Sequence, residues 1–178
     1  MSLLHNIWDG MGRKVTLSWS WPIVSTGYTK PMKNLAVLMD AICEAYDMAW
    51  REPGDFAPRD GKTYCNMAVN YVAKKFGYAR FEGKLANEMV DILNSDRQWI
   101  RVTPNEAAEC AAAGRLVIAA RKDEPHGHVS VVRPGTLETS AKWKEKAPKV
   151  MNIGKDCFIS KGANYAFRER PEYFSLEG

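Results

Sequence analysis

The sequence predicts an α+β fold in which helices pack on a mostly antiparallel sheet, and three observations predict it. Stretches with helical apolar spacing crowd into residues 34–113. Short β-branched runs separated by turn residues crowd into residues 115–154. No repeat or low-complexity tract interrupts the chain, and helices precede strands instead of alternating with them, which is the order of α+β and not of a parallel α/β sheet. At 178 residues the chain is expected to form one domain, 1–178.

In chain order, KVTLSWSW at 14–21 alternates enough for a strand or an extended arm, and Pro22, Gly27 and Pro31 break any regular structure between it and the first helix. Residues 34–50 set Leu35, Leu38, Met39, Ile42, Cys43 and Tyr46 at the spacing of one helix face, which predicts a core position for Cys43. Prolines and glycines mark 51–61 as a loop. A second helix comes next, with Cys65, Ala68, Val69, Val72 and Phe76 on one stripe. Residues 84–96 predict a third helix and QWIRV a short strand.

TPNEAAECAAAG, 103–114, carries a start signal with a mechanism. Thr103 can cap, Pro104 has the fixed φ suited to the first helical position, and Glu106 can reach back to complete a capping box. Gly114 ends that helix, and Cys110 among its alanines reads as packing. RLVIAAR, HVSVVR and KVMNIG, at 115–121, 128–133 and 149–154, are expected strands, and the final stretch is expected to close the sheet near Tyr173 and Phe174. AKWKEKAPK, 141–149, is the densest basic run and reads as a solvated loop.

Composition narrows the function classes. The chain is 46% hydrophobic and 26% charged, and no apolar run approaches the ~20 residues of a membrane helix, so no membrane insertion is expected. The start, MSLLHNIWDGMGRKV, has no basic region ahead of its apolar residues, and Asp9 interrupts them; synthesis in the cytoplasm without a signal peptide is the expectation. His5 lies in this leader, which reads as loosely anchored. Cys43, Cys65, Cys110 and Cys157 form no C-x-x-C pair, which argues against zinc and against a disulfide framework. A net charge of +4 suits an anionic partner but also falls within the range that keeps a domain soluble. No recognised binding module supports a nucleic-acid partner, no motif requires a metal or cofactor, and a monomer is expected.

Cys65 has two readings. As the first member of an apolar helical stripe it is core, since free cysteine is among the most buried residue types. As a residue of the first helical turn it meets unpaired N–H groups and the positive end of the helix dipole, which stabilise a thiolate. The second reading requires a histidine. His126 sits between Pro125 and Gly127 and reads as a loop residue, whereas His128 opens a strand, the rigid mounting that a general base needs. Strand alternation puts His128, Ser130 and Val132 on one face. Asn152, between Met151 and Ile153, is a polar group in a short strand that asks for a hydrogen-bond partner, and His128 is a candidate. The bland alternative turns Asn152 to solvent and leaves His128 at a strand edge.

TYCNMAVNYV, then GHVSVVRPG about sixty residues later, then KVMNIGKDCF, resemble the CHAP family of cysteine, histidine-dependent amidohydrolases and peptidases and their NlpC-type relatives. The resemblance covers roughly residues 62–158, with an echo in GANYAF of the closing segment of phage-borne members. It implies a papain-like α+β core at 61–178, preceded by an extension and first helix, 1–60, that match no pattern. It also implies Cys65 as nucleophile, His128 as base and Asn152 as the orienting third residue, with Asp156 nearby. Tyr64 and Asn66 flank the thiol and, with His126, are expected as substrate-binding residues; the alternative for Tyr64 and Asn66 is a plain helix-surface position. Cysteine before histidine separates this order from the permuted lecithin retinol acyltransferase-like relatives. The expected function is a peptidoglycan-cleaving cysteine peptidase or amidase of phage or endolysin type, acting at the cell wall once delivered. The alternatives are a catalytically silent member of the fold within a phage particle or secretion system, and an intracellular amide hydrolase.

Overall fold

A computed structural model describes residues 4–8, 14–18, 32–50, 55–59 and 62–177 of the protein. The expected breaks at Pro22, Gly27 and Pro31, and most of the expected loop at 51–61, lie outside them. Helical spacing in the first third becomes α1, Met32–Trp50. Its buried stripe is Leu38, Ala41, Ile42, Ala45 and Ala49. This corrects the core position expected for Cys43, which is exposed. The helix turns toward the core the side on which three alanines permit close approach, and Met39 and Tyr46 flank that side half-buried.

Against α1 packs α2, Cys65–Lys75, whose buried residues are Cys65, Ala68, Val69, Val72 and Ala73. The next helices are α3, Ala86–Ser95, and α4, Pro104–Ala112, separated by strand β3, Trp99–Val102. The capping box of α4 forms as its residue types dictate: Glu106 accepts from the Thr103 N–H at 2.8 Å, and the Thr103 hydroxyl accepts from the Glu106 N–H at 3.3 Å. Gly114 closes this segment at φ +79°, where a Cβ would lie 2.3 Å from the Leu35 nitrogen; a left-handed backbone and a close approach both require glycine there. Cys110 is partly buried and packs on the core.

The early hairpin pairs β1, Leu4–Trp8, with β2, Lys14–Ser18, so His5 sits opposite Leu17 in a ladder. The remaining strands are β4, Val117–Arg121; β5, His128–Val132; β6, Glu138–Ser140; β7, Glu145–Ala147; β8, Lys149–Asn152; β9, Phe158–Gly162; and β10, Glu172–Leu176. A short helix, α5, Ala163–Ala166, comes after β9. The main sheet has the order β3-β10-β4-β5-β8-β9, and every pairing is antiparallel. The fold is therefore α+β with an antiparallel sheet. β10 closes it, as expected of Tyr173 and Phe174, by entering between β3 and β4.

Val117 through Ala120 are all buried, as are Val129 through Val132, so both faces of the sheet's centre are covered. Each fully buried Leu, Ile or Phe here contributes about 1.5–3 kcal/mol of transfer free energy. The basic run at 141–149 is not a solvated loop. It forms the end of the β6–β7 hairpin, with Trp143 and Ala147 buried while Lys142, Lys144 and Lys146 face outward.

Candidate active site

Three elements converge on one thiol. Cys65 is the first residue of α2, His128 the first of β5, and Asn152 the last of β8, the strand paired with β5. Nothing in the sequence caps α2: its N-cap, Tyr64, makes no side-chain capping hydrogen bond, and its first turn holds no acid. Lys74 and Lys75 occupy the last turn, where they complement the dipole's negative end. The positive end is left to Cys65.

Cys65 is buried at 5% exposure. Burial alone pushes its thiol up, but a hydrogen bond to His128, the charge of that ring, and the N–H groups of Val129 and Asn66 bring it below the ordinary value. His128 moves the opposite way. Burial pushes the imidazole down, while its hydrogen bond to Cys65, the thiolate charge and the bond to Asn152 raise it above the usual histidine value. The two directions are those of a coupled thiol and imidazole, each favouring the charged form of the other.

Asn152 is 3% exposed and fully engaged. Its Nδ2 donates to the main-chain oxygen of Asp156 at 2.7 Å, which turns Oδ1 toward His128 Nε2 at 2.6 Å. An amide oxygen can only accept, so Nε2 carries a proton and Nδ1 is left as the nitrogen that faces Cys65. The Ser130 hydroxyl donates to the same Oδ1 at 2.8 Å. Phe167 meets the imidazole edge to face, with centroids 4.9 Å apart. A Cβ at Gly154 would lie 3.1 Å from Asn152 Nδ2 and 3.2 Å from His128 Cε1, so glycine leaves room for the pair.

A cleft of about 560 Å³ opens beside the thiol, lined among others by Tyr64, Cys65, Asn66, Leu85, His126 and Gly127. All three expected substrate-binding residues thus lie on it, with different freedom. Asn66 ties its Nδ2 to the Lys84 oxygen at 2.7 Å, which anchors α2 to the approach of α3. The Tyr64 hydroxyl accepts from Arg59 at 3.2 Å, and the guanidinium lies over its ring. His126 is exposed on the opposite loop. Asn87 clamps that loop, donating to the Asp123 oxygen at 2.9 Å and accepting from its N–H at 3.2 Å. Gly127 lies so close to Asn87 that a Cβ would come within 2.2 Å of Oδ1.

Sequence reasoning names Cys65, His128 and Asn152, which the structure brings together. It misses Phe167, Gly154 and Asn87, whose contacts depend on distant partners; only the glycine in NIG hints at a tight approach. Asp156, expected nearby, takes part through its main-chain oxygen. Among the described residues no cluster of three or more His, Cys, Asp or Glu side chains is arranged to hold a metal ion. Among them, too, no helix is long and apolar enough to cross a membrane.

No protein-family model matches the chain. The chain is similar to the peptidoglycan amidase Tse1 of Pseudomonas aeruginosa, with 37% identity over 112 residues, which span 62% of this chain and 67% of Tse1.

Proposed function

The chain belongs to the family of the peptidoglycan amidase Tse1, and from that premise we propose that it hydrolyses amide bonds in the peptide part of bacterial cell walls, with Cys65 as nucleophile. The catalytic unit is read as a cysteine, histidine-dependent amidohydrolase of CHAP or NlpC type on a papain-like core. What supports this most is the coupling of Cys65 to His128, and the hydrogen bond from His128 to Asn152, at the head of an uncapped helix beside an open cleft. The mild positive charge suits an anionic wall.

In the proposed mechanism the Cys65 thiolate attacks the amide carbonyl carbon. The carbonyl π electrons move to oxygen, and N–H groups at the start of α2 stabilise that oxyanion. His128 gives its Nδ1 proton to the leaving nitrogen, the C–N bond breaks, and a thioester remains on Cys65. His128 then takes a proton from water at Nδ1. The hydroxide adds to the thioester, the C–S bond breaks, the thiolate returns beside the protonated His128, and the carboxylic acid leaves and gives its proton to solvent. Asn152 keeps Nε2 protonated and the ring at its angle throughout.

The test is release of new primary amines from purified peptidoglycan. Wild-type protein is expected to release them and Cys65→Ala is not. Absence of release by folded wild-type protein from peptidoglycans of several cross-bridge types would overturn the proposal and leave a silent member of the fold.

A further inference from the structure

Two serines are sealed inside the main sheet, and they differ in what their hydroxyls do. Ser175 on β10 is fully buried and its Oγ has no hydrogen-bond partner among the described residues. Ser130 on β5 is 1% exposed; its Oγ donates to Asn152 Oδ1 at 2.8 Å and lies 3.3 Å from His128 Nε2. A hydroxyl has one proton and two lone pairs. With the proton directed to Asn152, a lone pair remains for the Nε2–H of His128.

We propose that Ser130 is a positioning residue of the site: it fixes the Asn152 carboxamide oxygen on His128 Nε2 and offers that N–H a second oxygen, favouring the imidazolium. This rests on the cysteine-hydrolase reading above. The Asn152 amide is held at both ends, by Asp156 through Nδ2 and by Ser130 through Oδ1, so its rotation about the last side-chain bond is stopped from two sides. Alternation on β5 makes the arrangement possible, since residues 128 and 130 share a face.

Titratable and charged groups approach His128 from several elements. Cys65 faces it from α2, and Arg121 lies opposite it on β4 but binds Glu169 and the Arg170 oxygen. Asp156 and Cys157 lie beyond Asn152, where the Cys157 thiol donates to the Gly154 oxygen. His126 is two residues upstream in the loop, and Glu169 is bound to Arg121. Of these only Cys65 bonds the ring. Removing the Ser130 oxygen takes an acceptor from Nε2–H, and the imidazolium then loses its proton at lower pH.

The test compares Ser130→Ala with Ser175→Ala, the same chemical change at two buried positions of one sheet. The readouts are kcat and KM on peptidoglycan peptides as a function of pH, and the ¹⁵N shifts of the His128 ring. Ser130→Ala is expected to move the alkaline limb of kcat/KM and the ring titration down by about one pH unit. It is also expected to lower kcat about tenfold with KM unchanged, because Ser130 touches the imidazole and the Asn152 amide and not the substrate. Ser175→Ala is expected to leave the profile in place. An unmoved limb in Ser130→Ala, or equal shifts in both variants, overturns the proposal. If Ser130→Ala does not fold, Ser130→Cys, a weak donor of similar shape, must show the same downward shift. A wild-type protein with no histidine-dependent limb would instead remove the cysteine-hydrolase reading itself.

Discussion

The starts of α2 and α4 are made in opposite ways. At α4, Thr103 and Glu106 exchange hydrogen bonds and Pro104 sits where its missing N–H is not needed, so the helix's orphan donors are satisfied by its own sequence. At α2 there is no side-chain cap and no acid, and the Asn66 N–H at its start bonds the Cys65 sulfur. A cap would stabilise α2 by about 1 kcal/mol, and its absence leaves positive potential for an anion. One helix start therefore serves the fold, while the other, in the proposed mechanism, serves a thiolate and an oxyanion.

Removing the groups at α2 disturbs this contrast most. Cys65→Ala is expected to lower amide hydrolysis by about 10⁴-fold or more, and His128→Ala by about 10²–10⁴-fold, with folding retained by circular dichroism. Amine release from peptidoglycan measures both. Next comes the far end of α4. Gly114→Ala forces a side chain into a left-handed backbone 2.3 Å from the Leu35 nitrogen, and its melting temperature is expected to fall further than that of a variant without the α4 cap.

At the capped start itself, Thr103→Ala is expected to cost about 1 kcal/mol and roughly 2–4 °C in Tm. The alkylation rate of Cys65 should not change, because Thr103 caps a different helix. The smallest effect belongs to Cys43→Ser. Cys43 is exposed on α1, so stability should stay within about 0.5 kcal/mol of wild type in a denaturant titration.

The same contrast explains what the sequence can reveal. The start of α4 is legible because T-P-x-E is local chemistry whose partners lie within three residues. Cys65 at a helix start and His128 at a strand start are legible for a similar reason, since both placements come from period and punctuation. The meeting of His128 with Asn152 needs a strand pairing, β5 with β8, that spacing alone leaves open. Periodicity misplaces Cys43 because large apolar residues dominate the pattern over Ala41, Ala45 and Ala49; burial on α1 favours the side that can approach closely. The 141–149 run misleads because its lysines outweigh the pattern that buries Trp143 and Ala147 on the opposite face.

The sharpest test of the α2 site is the pH dependence of alkylation at Cys65, with Cys43 and Cys157 as internal references. Partial burial, with Asp47 and Asp40, pushes Cys43 up against the pull of Arg133; burial and Asp156 push Cys157 up. Cys65 alone of these is lowered. A lowered thiol contributes stability fully above its unfolded value, near ~8.5, and loses it as pH falls through the folded value. The raised His128 contributes fully below ~6.5 and loses it as pH rises through its own folded value. Cys65 is therefore predicted to react fastest at neutral pH, with a titration below ~8.5 that moves up in His128→Ala. A Cys65 that reacts no faster than Cys43, and ignores the loss of His128, would contradict the thiolate–imidazolium pair and make the thiol a core residue.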